Sequence, residues 1–88
     1  MNDVFADLNR SVAEFAITEL DLASTFLDLA DASAHEETAY CNRKNARRAY
    51  DTVLTVLPKL SINETERKII KLRLTLLKAR LETAGERL

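Results

Sequence analysis

The chain has 88 residues, 47% hydrophobic and 31% charged, with one glycine and one proline; this fits one small helical domain and excludes glycine-rich phosphate loops, disordered tails and multi-turn β-architectures. No apolar run approaches the roughly 18–20 residues of a membrane span, and a single cysteine excludes an internal disulfide. The formal net charge of -1 exerts no global pull toward nucleic acid or membrane.

The opening Met1-Asn2-Asp3 lacks the basic start of a secretory signal, so the expectation is a cytoplasmic protein. From Asp3 to Asp31 no breaker interrupts a helical pattern, and Asn2 or Asp3 supplies a cap at its start. Phe5, Leu8, Val12, Phe15, Leu22, Phe26 and Leu29 recur at helical steps, with only Glu19 intruding. A second stripe of Ala13, Ala16, Leu20, Ala23, Leu27 and Ala30 lies beside them, so the two form one wide apolar face. Asp7, Glu14, Asp21 and Asp28 repeat every seven residues as an acidic ridge opposite the core.

Ser33-Ala34-His35-Glu36 matches the S-x-x-E capping box and predicts a second helix over 34–57. The break before it is soft, and one bent helix through residues 31–35 is the alternative. Ala39, Ala46, Tyr50, Val53 and Leu57 form its inward stripe, flanked by Ala49, Val56 and Leu60; Pro58 ends it near Leu57. A third helix over 63–84 starts at Ser61 or Asn63, each followed three residues on by a glutamate, and stops toward Gly85 as C-cap. Ile70, Leu74, Leu77, Leu81, Ala84 and Leu88 make one stripe; Ile69, Leu72, Leu76 and Ala79 make another. The predicted fold is therefore all-α: an antiparallel three-helix up-down bundle with a long first helix. At 1.5 Å per residue the first helix spans roughly 45 Å and the others about 35 Å, so Val4 to Phe15 is expected to project beyond its partners.

Charge is split along the chain. Residues 1–42 carry nine acids and one base, Arg10, whereas residues 43–88 carry twelve bases and five acids. One reading packs the acidic first helix beside basic neighbours, which fixes which helix sits where. The other exposes Arg43, Lys44, Arg47, Arg48, Lys68 and Lys71 to a polyanion, nucleic acid or an acidic peptide. A pI of 5.8, the acidic ridge and the scarcity of aromatics beside that cluster disfavour nucleic acid.

No catalytic constellation emerges. His35 and Cys41, the sole residues of their types, stand six apart on largely different helix faces. His35-Glu36-Glu37-Thr38-Ala39 lacks the second histidine of a zinc protease, and Asp31 with His35 lacks a third metal ligand. Glu19 on the apolar stripe reads as a rim position or as the partner of Arg43 or Arg73. The sequence thus predicts no enzyme, cofactor, metal, membrane or small-molecule site.

Ala46, Tyr50, Val53 and Pro58 are spaced as in the second helix of a tetratricopeptide repeat, which this segment resembles. A helical hairpin followed by a third helix is also similar to the microtubule-interacting-and-trafficking (MIT) type of domain. The resemblance implies a non-catalytic domain that receives a peptide or partner helix in an inter-helix groove. The expectation is a protein–protein interaction module that forms a homodimer or binds a partner helix, with Phe5, Leu8, Val12 and Phe15 as its interface.

Overall fold

The computed structural model describes the backbone of residues 4–88 and the side chains of residues 12–88. The expected caps at Asn2 and Asp3 lie outside the described residues. Three α-helices, α1 (Val4–Ala32), α2 (Glu36–Val56) and α3 (Glu64–Thr83), run in chain order, with a 3-10 turn at Leu57–Lys59 after α2. The cross-helix pairs fix their directions. Arg73 meets Asp21 and Arg80 meets Asp28 and Asp31, so numbers rise together and α3 runs parallel to α1. Arg47 meets Glu86 while Arg67 reaches Leu57, so α3 runs antiparallel to α2. The result is an up-down-up bundle about 54 Å long.

Each predicted boundary from Asp31 onward falls within two residues of its helix end, but the start of α2 is built differently. Ser33 does not cap it: its hydroxyl accepts from the His35 N–H at 3.2 Å and donates to the His35 carbonyl at 3.0 Å. The Glu36 carboxylate is held by Arg43 at 2.6 Å, so neither half of the expected box is available. His35 is the N-cap, without a side-chain cap bond, and residues 33–35 are a turn rather than a bend in one continuous helix.

At α3 the Asn63 start prevails over the Ser61 one. The Asn63 side chain accepts from Glu66 N–H at 2.7 Å, and Glu66 accepts from Asn63 N–H at 3.1 Å, closing the capping box. The other end is a Schellman motif: Glu86 N–H donates to the Leu81 carbonyl and Gly85 N–H to the Glu82 carbonyl, both at 3.0 Å. Gly85 sits at φ +98°, where a side chain is strained, and a Cβ there would meet nothing within 4 Å. Gly85→Ala is therefore expected to lose about 1 kcal/mol through backbone strain alone, read as a lower denaturant midpoint.

Arg67 makes the α2–α3 corner. Its guanidinium donates to the carbonyls of Leu57 at 3.0 Å and Leu60 at 2.7 Å, tying the turn after α2 to the first turn of α3; the Leu57 carbonyl also accepts from Leu60 N–H at 3.2 Å. Arg67→Met keeps the stem but drops the donors. It should cost about 1–3 kcal/mol in denaturant unfolding, a charged donor to two carbonyls being worth that much.

The core sorts by size. From α1 come Ala16, Leu20, Ala23 and Leu27, and from α2 Ala46, Ala49, Tyr50 and Val53, all at most 6% exposed. Alanines on both sides let the two backbones of the hairpin approach closely. α3 then fills the third side with Ile70, Leu74, Leu77 and Leu81. The α2 residues are those of the expected inward stripe, and of the two α3 stripes the Ile70–Leu81 one is buried.

On α1 the apolar face divides. The alanine–leucine stripe is the buried one, whereas Phe15, Leu22 and Leu29 are 53%, 43% and 51% exposed, and Phe26, like Ile17, packs partly on the core. Phe15 is not exposed by projection of the helix end, because Ala13 and Ala16 on either side of it are 2% and 1% exposed. It is exposed because of the face it occupies.

Candidate interaction surfaces

Two apolar strips remain outside the core. On α1, Phe15, Leu22 and Leu29 stand seven residues apart and so share one face. Leu22 and Phe26 also border an open groove of about 290 Å³ against α2, lined there by Asn45, Arg48 and Ala49. Glu19 stands half-buried at the rim of this groove, as expected, but not paired with Arg43 or Arg73: those hold Glu36 and Asp21. On α3, Ile69, Leu72 and Leu76 are 41%, 60% and 60% exposed and follow steps of three and four. Leu76 borders the α1–α3 groove beside Asp21, Ser24, Arg73 and Arg80.

Of the interface residues expected from sequence, Phe5 and Leu8 have side chains outside the described residues. Val12 is half-buried and Phe15 exposed. Leu22, Leu29 and the α3 strip were not among them, although the spacing of Ile69, Leu72 and Leu76 was already visible.

The basic residues do not form one patch. Arg43 is held by Glu36, Lys44 by Glu86 at 2.9 Å, and Arg47 by Asp51 at 3.0 Å and Glu86 at 3.3 Å. Arg48 is exposed on the α2 side, with no ion-pair partner among the described residues. Lys68 and Lys71 lie near the other end of α3. Lys71 is twelve residues, roughly 18 Å of helix, from Thr83 and thus well away from Glu86. Two members of the acidic ridge are similarly engaged, Asp21 by Arg73 and Asp28 by Arg80, which also meets Asp31. These acids are 63–75% exposed, so each pair adds about 0–1 kcal/mol and serves mainly to seat α3 beside α1.

Glu86 differs from the other acids, with a side chain only 8% exposed. The hydrogen bond from Lys44 holds its carboxyl below the ordinary value of 4.5, aided by Arg47 and opposed by burial. A folded carboxyl more acidic than the unfolded one stabilises the fold fully above about pH 4.5 and loses that contribution as pH falls below it. Glu86→Gln should therefore cost about 1 kcal/mol at neutral pH, and the gap to wild type should close on acidification below 4.5.

Among the described residues no cluster of three His, Cys, Asp or Glu side chains could hold a metal ion. None of the described helices is long and apolar enough to cross a membrane. No protein-family model matches the chain, and neither a curated protein nor a solved structure matches it.

Proposed function

We propose that this chain is a non-catalytic helical protein–protein interaction module that self-associates through apolar helix faces left outside its own core. The observation that carries the reading is the strip of Phe15, Leu22 and Leu29, each at least 43% exposed on one face of a helix whose neighbouring stripe is already buried. Scattered surface leucines need no explanation; an aromatic and two leucines in register along a helix are the pattern by which helices dock. The exposed free thiol of Cys41 supports a reducing, cytoplasmic setting. The tetratricopeptide-like positions Ala46, Tyr50 and Val53 are buried, which supports a packing role for them and leaves recognition to the outer faces.

The test is a Phe15→Glu, Leu22→Glu double variant followed by size exclusion and circular dichroism. Helicity equal to wild type with a loss of the associated species supports the reading. An unchanged associated mass would remove this strip from the interface.

A further inference from the structure

The two exposed strips differ in their electrostatic surroundings, and that difference selects how copies meet. α1 carries six acids against one base, with Glu19 at the edge of its strip beside Leu22. α3 carries six bases against three acids; Arg73 and Arg80 beside Leu76 are already paired with Asp21, Asp28 and Asp31, whereas Lys68, Lys71 and Lys78 are exposed with no ion-pair partner among the described residues.

Laying α1 on a second α1 would press two acidic helices together and bring two Glu19 carboxylates toward one apolar seam. Desolvating like charges opposes that arrangement. Laying α3 on a second α3 repeats the problem with cations. Laying α1 on the α3 of another copy joins unlike helices and brings cations to Glu19. Both strips keep the seven-residue or three-and-four spacing of a left-handed helix pair, so the surfaces match in period as well as in charge.

We propose that copies of this chain associate heterologously, the α1 strip of one (Phe15, Leu22, Leu29) docking on the α3 strip of the next (Ile69, Leu72, Leu76). This rests on the self-association reading above and specifies its geometry. The strips border different grooves, α1–α2 and α1–α3, so each copy keeps one strip unused after one contact forms. Growth then continues beyond a dimer or closes as a ring.

The experiment blocks one strip at a time. Phe15→Lys with Leu22→Lys blocks α1, and Leu72→Glu with Leu76→Glu blocks α3. Each variant alone is expected to lose self-association by roughly tenfold or more. The equimolar mixture is expected to give a heterodimer that grows no further, because one intact strip of each kind remains.

Self-association of either blocked variant at wild-type strength would overturn the proposal in favour of a like-on-like contact. A mixture that stays monomeric where wild type associates would also overturn it, while sparing self-association itself. A monomeric wild type would remove both readings. The replaced side chains are at least 43% exposed, and single Leu22→Gln and Leu76→Gln variants repeat the scheme should a double variant not fold.

Discussion

Ile70→Ala is expected to lower the unfolding free energy by about 2–4 kcal/mol, whereas Leu72→Ala, two positions away, changes it by less than about 1 kcal/mol. Ile70 is 0% exposed, among the largest fully buried side chains, and belongs to the core that all three helices build. Removing its branched side chain deletes apolar contact and leaves a cavity that a bundle braced by the α1–α2 hairpin cannot fully close. Leu72 is 60% exposed on the outer side of the same helix, so its truncation removes little buried area. A domain of this size has only about 5–10 kcal/mol to lose, so the first variant stands near the edge of unfolding. Urea denaturation at a fixed, low protein concentration reads the contrast, because association of the folded form would otherwise add to apparent stability. Equal effects at the two sites would mean that α3 presents a different face to the core.

Ala46→Leu is the second large effect, with the opposite chemistry. Ala46 and Ala23 are both 0% exposed in the core that α1 and α2 share. Three added carbons there must push the two backbones apart or force neighbouring side chains off their rotamers, at about 1–3 kcal/mol. Added hydrophobicity thus destabilises this fold, an outcome that burial by polarity alone would not give. Thermal melting should show a loss of several degrees, about 4–8 °C for each kcal/mol in a domain this small. An Ala46→Leu variant as stable as wild type would show that the hairpin has room at its centre.

That size rule also explains which parts of the core were legible in the sequence and which were left open. Ala39, Ala46, Tyr50 and Val53 of α2, with Leu57 just past its end, form a single apolar stripe, and all five are buried. The Asn63–Glu66 box and Gly85 stop are local chemistry, carried by residues a few positions apart, and both are present. α1 offered two adjacent stripes at the same period. The alanines of α2 accept only a close neighbour, so the alanine–leucine stripe took the core and the phenylalanine–leucine stripe stayed largely outside it. Which of two seams faces inward depends on the surface of another helix, and no periodicity within α1 contains it.

The charge split was legible as the packing of acidic α1 beside basic α3, although the partners were not: Arg73 and Arg80 choose Asp21, Asp28 and Asp31 over Glu19. Ser33 misled because its hydroxyl closes a local turn on His35 before the α2 donors are reached. Glu86 and Arg67 were silent in sequence, since both act on residues brought near only by the corners of the bundle.

The most direct measurement is sedimentation equilibrium of the wild-type chain over a hundredfold concentration range at low and high salt. Self-association through apolar strips with unlike-charged borders predicts an average mass that rises above the 9.9 kDa of one chain with concentration. It also predicts that high salt weakens the rise without removing it, because screening acts on the borders and not on the apolar seam. A mass of one chain at every concentration and in both salts would contradict the account.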